Sequence, residues 1–278
     1  MYKRQGTQDK GAKQMYQSIK KFNALADYIQ VWPGHGAGSA CGKALGAVPS
    51  TTVGYEKARN WAFQYPTDET GFTEYLLADQ PEPPKYFAMM KKLNKVDRPL
   101  LTEVPKLKKL SIEEVNTQMA EGVKLLDARP KTEFAAGFIP GSLNIQGNNS
   151  FATWAGWFLT YDEPFMILAD ESMLDDLTRK LMRIGLDNIA GYLPSVEEYT
   201  QAGGTLEKVN LVELAEAKVL ANDSTVQVVD LRGVSEFNAG HIKDAENVFV
   251  GTLPNNLNKI SNDTVSYTHL TLPTKRIV

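Results

Sequence analysis

Two neighbouring side chains in the first part of the sequence could do metal or sulfur chemistry. His35 lies in the segment Pro33-Gly34-His35-Gly36, and Cys41, the single cysteine of the 278 residues, follows six residues later among small residues. Because no bulky neighbour surrounds the imidazole, it faces a cavity or solvent rather than an apolar core. Neutral imidazole binds zinc and iron, and a thiol can bind or relay sulfur. His35 is therefore a candidate metal ligand and Cys41 a candidate catalytic residue; a solvent-facing histidine and a small buried thiol are the alternatives.

A second candidate site is a short motif that occurs twice. Asp127 and Arg129 end one apolar run, Asp230 and Arg232 end another, and both pairs precede the same frame, Glu-Phe-x-Ala-Gly-x-Ile. An Asp at the end of a parallel strand can accept hydrogen bonds from loop amides and pair with the Arg two residues later, at the sheet edge where ligands bind. We predict that Asp230 and Arg232 form a substrate- or anion-binding site; a purely structural role is the alternative.

The elements around His35 are mostly helical. Hydrophobic periodicity predicts a helix over residues 6–26, and a short strand over Tyr28–Trp32 leads into the His35 loop. Further helices are predicted near 54–63, 68–77 and 85–93. The Pro- and Lys-rich stretch that follows, up to Lys109, predicts a linker between domains.

The elements around the duplicated motif alternate between strand and helix. Strands are predicted at 123–127, 165–169 and 188–192, and helices after a capping box at Ser111–Glu114 and at 132–136, 173–184 and 195–201. This alternation predicts a parallel sheet that is covered on both faces. The order restarts with a helix predicted at 210–217, a strand at 226–230 and a short helix at 234–239. The large spacing between the two motifs indicates duplicated domains rather than a solenoid repeat.

The composition is that of a globular chain with two or three domains, since 42% of the residues are apolar and 23% are charged. No apolar stretch is long enough to span a bilayer, and a single cysteine fits a reducing, cytoplasmic location. The formal net charge is −3 with no basic cluster, which argues against nucleic acid as a partner. We expect no membrane partner either, and homo-oligomers are possible.

Both ends of the sequence resemble translated sequencing-adapter DNA. Residues 1–5 and 265–278 show neither helical nor strand periodicity, and we expect them to lie outside the natural fold. Four cations and no acids lie in these two segments, so the remaining chain is more acidic than the printed net charge. We therefore expect this chain to be an internal fragment of a longer protein.

The duplicated frame resembles the rhodanese family of sulfurtransferase domains, over residues 108–204 completely and 207–264 partially. In that family a Cys thiolate in the loop after the central strand receives sulfane sulfur, and backbone amides lower its pKa. The residue at this position in the first copy is Asp170, followed by Glu171. A carboxylate cannot carry persulfide sulfur, so the resemblance implies an inactive first copy. The second copy is expected to end just before its Cys loop.

Residues 31–57 resemble the end of a metallo-β-lactamase-fold domain, most closely the persulfide dioxygenase-like branch that is fused to rhodanese domains. The metal-binding His-x-His-x-Asp-His cluster of that family would lie upstream and is not in this sequence. His35 matches the last histidine of the fold, a second-site ligand in dinuclear thiolester hydrolases. The resemblance implies Fe(II) or Zn²⁺ in the complete protein and none bound by this fragment.

Together these observations predict an α/β chain: the C-terminal part of a metallo-β-lactamase (αββα) domain, then one complete and one truncated rhodanese-like domain. The predicted bounds are 6–100, a linker at 101–108, 109–204 and 207–264. The implied function is that of a persulfide dioxygenase or sulfurtransferase-like enzyme acting on a low-molecular-weight thiol persulfide, with this fragment alone inactive. The alternatives are a glyoxalase II-like hydrolase acting on a thiolester, and a non-catalytic module that binds sulfane sulfur or anions.

Overall fold

The structure is a computed structural model that describes residues 8–33, 50–78, 84–98, 102–261 and 267–268. It divides into two compact units, Met1–Pro83 and Pro84–Val278. Both candidates in the first part of the chain, His35 and Cys41, lie outside the described residues. None of the helices in the described part of the chain has the length and apolarity of a membrane span.

The described residues of the first unit form a small helical cluster with a two-stranded sheet. Its elements are α1 (Gln8–Asn23), β1 (Gln30–Val31), β2 (Thr51–Thr52), α2 (Val53–Arg59), a 3-10 helix (Trp61–Gln64) and α3 (Glu69–Leu77). The strands β1 and β2 pair antiparallel. On the face that α1 shares with α3, Tyr16 and Phe72 are buried and their rings lie 5.3 Å apart.

The helix predicted near 54–63 is interrupted at Asn60. The backbone of Asn60 is extended, and its side-chain oxygen accepts a hydrogen bond from the Ala62 amide at 3.1 Å. This bond starts a new 3-10 turn rather than continuing α2, because Asn competes with the helix for backbone amides.

Helix α4 (Tyr86–Leu93) packs within the second unit. A β-carbon at Gly156 would collide with the ring of Tyr86, and one at Gly185 would collide with Leu93. Both glycines therefore let α4 approach closely. The sequence places this helix in the N-terminal domain, whose predicted bounds are 6–100. Those bounds stay a prediction, and the structure shows α4 packed within the second compact unit.

The first rhodanese-like copy is built on four parallel strands; the sequence predicts the parallel sheet and three of these strands, but not the short strand at Leu143–Asn144. The four strands are β3 (Lys124–Asp127), β4 (Leu143–Asn144), β5 (Phe165–Leu168) and β6 (Ile189–Leu193), in the order β4-β3-β5-β6. A parallel bridge from Lys109 to Tyr192 extends the sheet beyond β6. All four residues of β5 are buried, which is the pattern of a central strand covered on both faces.

Helices cover both faces of this sheet. They are α5 (Ile112–Ala120), α6 (Lys131–Ala136), α7 (Phe151–Phe158), α8 (Leu174–Met182) and α9 (Val196–Gln201). One apolar cluster includes residues of α7 and α8, and the other includes residues of α5 and α9. The capping box predicted at Ser111–Glu114 is present, with both reciprocal hydrogen bonds formed. Helix α7 was not predicted, because its residues are apolar on nearly every side and show no clear period.

The second copy repeats the start of this arrangement. It contains β7 (Asn210–Leu211), α10 (Leu214–Leu220), β8 (Val229–Asp230), α11 (Val234–Ala239), β9 (Glu246–Asn247), two 3-10 helices (Val250–Asn255, Leu257–Lys259) and β10 (Tyr267–Thr268). Strands β8 and β9 pair parallel, as do β7 and β10. The helix predicted at 210–217 was misplaced, because residues 210–211 form a strand and the helix begins at Leu214. Strand β10 belongs to the segment interpreted as adapter-derived.

One buried hydroxyl yields a stability prediction. Thr178 in α8 is 1% exposed, and its Oγ1 has no hydrogen-bond partner among the described residues. Since an unsatisfied buried hydroxyl costs free energy, we expect Thr178→Val to raise the free energy of unfolding by about 1 kcal/mol. Urea unfolding followed by circular dichroism measures this change. As a control, Thr117→Val, at an exposed site on α5, should change it by less than about 0.5 kcal/mol; equal effects at both sites would contradict the explanation.

Candidate functional site

The first Asp-x-Arg motif forms a closed ion pair at the carboxyl end of β3. The Asp127 side chain is fully buried, and Arg129 Nε lies 3.0 and 3.1 Å from its two oxygens. Arg129 Nη2 lies 2.5 Å from Oδ2, and the backbone N–H of Arg129 donates to Oδ1 at 3.0 Å. A buried carboxylate is tolerated only when it is paired and hydrogen-bonded in this way.

The same arginine holds the end of α6. Its Nη2 also donates to the Gly137 carbonyl at 2.9 Å, while the Gly137 N–H donates to the carbonyls of Glu133 and Phe134. A cation beside the last carbonyls of a helix satisfies orphan acceptors and favours the helix dipole. The strand end and the helix end are thus tied together through one guanidinium.

An asparagine that was not predicted as a site residue binds the backbone on either side of the Asp127–Arg129 pair. Asn144 in β4 donates from Nδ2 to the backbone carbonyls of both Asp127 and Arg129, at 2.9 Å each. The second copy has Asn247 in the equivalent place, so extending the alignment of the two copies by a few residues would have found it. We call the set of Asp, Arg, helix-end Gly and Asn in each copy the corner.

The corner of the second copy has almost the same geometry. Arg232 Nε lies 3.0 and 3.1 Å from the Asp230 oxygens, and Nη2 donates to the Gly240 carbonyl at 2.8 Å. Asn247 Nδ2 donates to the carbonyls of Asp230 and Arg232 at 2.9 Å each. The hydrogen bonds from Arg232 lower the pKa of Asp230 below its ordinary value.

The two corners differ in burial. In the second copy the Arg232 side chain is 38% exposed and that of Asp230 is 12% exposed, against 17% and 0% for Arg129 and Asp127. Arg232 directs Nε and Nη2 to Asp230 and Gly240, and its Nη1 makes no hydrogen bond to any described residue. The predicted binding of an anion by this pair stays a prediction.

The loop at the position of the family's sulfur-carrying Cys follows β5. Asp170 is exposed, and its Oδ1 accepts hydrogen bonds from the Ser172 amide at 2.9 Å and the Ser172 hydroxyl at 2.5 Å. These bonds lower the pKa of Asp170. The neighbouring Glu171 accepts a hydrogen bond from the Tyr192 hydroxyl at 2.8 Å, which raises the pKa of that phenol. The loop is therefore held by its own carboxylates.

Ala128, which lies between Asp127 and Arg129, and Gly147 contact the chain on either side of this loop. The Ala128 N–H donates to the Leu168 carbonyl at 2.9 Å, two residues before Asp170. On the other side, the Gly147 N–H donates to the Ala128 carbonyl at 2.9 Å, and a β-carbon at Gly147 would meet the end of Met173. The chain that follows β3 is thus bonded to the end of β5, just before the Asp170 loop.

No metal centre is formed by the residues that the structure describes: no group of three or more His, Cys, Asp or Glu side chains among them is arranged to hold a metal ion. The described residues therefore do not by themselves fit the iron or zinc that the sequence resemblance implies.

Comparisons with known proteins identify two relationships. The family model for the rhodanese-like domain matches residues 111–202 and 213–278. A solved metallo-beta-lactamase from Staphylococcus aureus subsp. aureus COL is similar, with 39% identity and a TM-score of 0.54, over 67% of this chain and 52% of the other. The chain therefore spans about half the length of that protein. A comparison with curated proteins finds no match.

Two other solved structures show weaker likeness. One is a rhodanese-related protein from Thermoplasma volcanium, with 19% identity and a TM-score of 0.31, over 36% of this chain and 97% of the other. Another is a thiosulfate sulfurtransferase from Pseudomonas aeruginosa, with 17% identity and a TM-score of 0.32, over 68% of this chain and 41% of the other.

The asparagine of the corner gives a matched pair of variants. Asn144→Ala removes two hydrogen bonds from the carbonyls of a buried motif, so we expect it to lower the free energy of unfolding by about 2 kcal/mol. Asn247→Ala should cost less, because water can reach the exposed second corner. Denaturant unfolding, with the exposed Asn188→Ala as the control, measures both. Equal losses in the two copies would show that burial does not set the cost.

The pKa of Asp230 gives a pH prediction. The pKa of Asp230 is lower in the folded chain than in the unfolded chain. The ion pair therefore stabilises the second copy fully at pH values above the unfolded-state pKa, and this stabilisation is lost as the pH falls through the folded-state pKa. Hydrogen exchange over residues 229–247 should accelerate as pH falls below about 4, after correction for intrinsic rates. Asp230→Asn should remove most of this pH dependence, whereas Glu216→Gln, an exposed carboxylate on α10, should leave it intact. A pH dependence that persists in Asp230→Asn would count against this assignment.

Proposed function

The chain belongs to the rhodanese-like domain family, and from this premise we propose that it is part of a sulfur-metabolism enzyme in which a metallo-β-lactamase-fold domain precedes two rhodanese-like domains. One observation carries the proposal: a chain that the rhodanese-like model matches twice is also 39% identical to a metallo-beta-lactamase over 67% of its length. Fusion of these two folds couples a hydrolytic or oxidative centre to modules that handle sulfane sulfur.

The proposed substrate is a low-molecular-weight thiol persulfide. In the proposed reaction, persulfide, O₂ and water give thiol and sulfite: the outer sulfur is oxidised, the S–S bond breaks, and two protons are released. A bound Fe(II) or Zn²⁺ in the complete protein would activate oxygen or water. His35 and Cys41 remain the proposed metal ligand and sulfur-relaying residue of this chain. The complete protein is proposed to be cytoplasmic.

The first rhodanese-like copy is proposed to be catalytically inactive. Its loop has Asp170 at the sulfur-carrying position, and the carboxylate already occupies the Ser172 amide and hydroxyl. Glu171 beside it is a second acid, and two adjacent negative charges would repel an anionic sulfur donor. We place the carrier role in the second copy of the complete protein, where the Arg232 side chain is 38% exposed and paired with Asp230.

Two alternatives rest on specific features. The metallo-beta-lactamase likeness suits a glyoxalase II-like thiolester hydrolase equally well, because His35 matches a second-site ligand of such enzymes. A non-catalytic module that binds sulfane sulfur or anions is favoured by Asp170 in the first copy.

Activity assays on the complete protein distinguish these functions. With glutathione persulfide, a dioxygenase consumes oxygen and releases sulfite, whereas a thiolester hydrolase releases glutathione from an acyl-glutathione without oxygen uptake. If the protein shows neither activity but binds the persulfide saturably, the non-catalytic module is supported. Thiolesterase activity without oxygen uptake would overturn the dioxygenase proposal.

Metal content gives a prediction for this chain itself. A single imidazole cannot hold a mononuclear site tightly, since affinity depends on the number of ligands. We expect the purified 278-residue chain to carry well under one equivalent of iron or zinc by inductively coupled plasma mass spectrometry, and His35→Ala to change this little. One full equivalent that is lost in His35→Ala would contradict the expectation.

A further inference from the structure

Helix α7 of the first copy is enclosed on nearly every side. Thr153 is the one residue of this helix that is exposed, whereas Phe151 and Ala155 are fully buried in the core of the first copy. A helix that is apolar all round needs packing partners on more than one face. The core of the first copy covers one face of α7, so another face must pack elsewhere.

That other face of α7 contacts the second copy. Trp157 is 5% exposed, and its ring meets the ring of Phe249 at an interplanar angle of 80°, with 5.4 Å between the centroids. A β-carbon built on Gly251 would lie 2.8 Å from Trp157 and 2.6 Å from Phe249. The absence of a side chain at Gly251 therefore lets the chain after β9 approach Trp157 closely. We call residues 249–251 the β9 loop.

The β9 loop lies at the sheet edge that carries the predicted anion-binding pair. The Val250 N–H donates to the Leu231 carbonyl at 3.0 Å, and Leu231 is the residue between Asp230 and Arg232. The carboxyl ends of parallel strands, where both segments begin, are the ends at which such sheets bind ligands. Trp157 therefore reaches the backbone beside Arg232 through one loop and one hydrogen bond.

The first copy uses the equivalent positions differently. Gln146 aligns with Phe249, and its side-chain oxygen accepts a hydrogen bond from the Lys131 amide at 3.2 Å. Asn148 aligns with Gly251, and its side chain accepts a hydrogen bond within its own loop at 2.8 Å. The polar residues of the first copy thus bond to their own domain, whereas the β9 loop presents an aromatic ring and a glycine to α7.

A second contact joins the two copies at a different point. Phe138 and Glu207 exchange both backbone hydrogen bonds at 2.9 Å, and the Val209 N–H donates to the Ala135 carbonyl at 3.0 Å. These bonds hold the chain that leads into the second copy. Since two separate contacts restrict rotation of one domain on another, the second copy has a defined orientation on the first. Of the two contacts, the one at α7 reaches the edge where a ligand binds.

We propose that Trp157 is a positioning residue for the second copy: it holds the β9 loop, and through that loop the chain that bears Arg232, in the geometry that binds an anionic sulfur donor. This inference rests on the proposed role of the second copy as the sulfur carrier. It gives the first copy a function without a sulfur-carrying Cys, because that copy supplies the surface on which the site of the second copy is set.

Hydrogen exchange on the 278-residue chain tests the contact. Trp157→Ala removes an aromatic pair, so exchange of the Val250 amide, corrected for intrinsic rates, should accelerate about tenfold, whereas exchange of the Phe138 amide should not change. Phe249→Ala removes the same pair from the second copy and leaves the core of the first copy intact, so it should have the same effect. Thr153→Ala, on the exposed side of α7, is the control and should change neither amide.

The double variant shows whether the two rings act through each other. Trp157→Ala combined with Phe249→Ala should accelerate exchange of Val250 no more than the larger single change does, because both substitutions remove one contact. An unchanged Val250 amide, or a double variant in which the two effects multiply, overturns the inference. Equal acceleration at Val250 and Phe138 in Phe249→Ala also overturns it, because the effect is then a general loss of stability.

Transfer of sulfane sulfur from thiosulfate to cyanide tests the consequence in the complete protein. This reaction breaks the S–S bond of thiosulfate, forms the C–S bond of thiocyanate and releases sulfite. Trp157→Ala should raise KM for thiosulfate about tenfold and change kcat by less than about twofold, because the donor is held less tightly when Arg232 is displaced. Trp157→Phe keeps an aromatic ring against the β9 loop and should restore most of the lost affinity.

The outcomes separate this inference from the proposed function. If Trp157→Ala lowers kcat and leaves KM unchanged, the positioning of Arg232 by Trp157 is overturned while the sulfur carrier stands. If the unsubstituted complete protein transfers no sulfur, the proposed carrier role is overturned, and with it the reason for the positioning. In that case the exchange rates of Val250 still decide whether Trp157 holds the β9 loop.

Discussion

The buried pair of Asp127 and Arg129 is the constraint on which the first rhodanese-like copy depends. A carboxylate with no exposed surface at the end of a strand is tolerated only because every side of it meets a donor. The guanidinium that satisfies it also binds the end of α6, and Asn144 locks the carbonyls on either side. One guanidinium and the Asn144 amide therefore tie together the ends of three elements, β3, α6 and β4.

The second copy shows that this corner is a local device rather than a product of the surrounding core. Its distances match those of the first copy to about 0.1 Å, although Arg232 is more than twice as exposed as Arg129. The geometry is therefore encoded by a few side chains within one strand, one helix and the next strand. The surrounding packing instead sets how much the corner contributes to the free energy of unfolding, because water competes for the exposed carbonyls and charges of the second copy.

The sequence predicted the features that depend on local chemistry or on a regular period. The alternation of strands and helices, the capping box at Ser111 and the Asp-x-Arg pairs all belong to this group. Helix α7 was not predicted, because a segment that is apolar on nearly every side shows no clear period. The packing of α4 within the second unit could not be predicted, because it depends on Gly156 and Gly185, far along the chain. Asn144 was not predicted as a site residue, because it reaches the carbonyls of Asp127 and Arg129 only once β4 has paired with β3. His35 and Cys41 lie outside the described residues and stay predictions.

We propose that the first copy keeps the fold of its family without a sulfur-carrying Cys because Asp170 supplies a negative charge in the loop. In the loop after β5 the Ser172 N–H lies 2.9 Å from Asp170 Oδ1, and such a backbone amide needs an acceptor. Asp170 provides one permanently, since hydrogen bonds from Ser172 keep its pKa low and the carboxylate ionised. Under this proposal, replacing the Cys with Asp costs the loop little stability, because the Ser172 amide keeps an acceptor. In the first copy Arg129 also fixes the helix end at Gly137, and the next residue, Phe138, exchanges two backbone hydrogen bonds with Glu207.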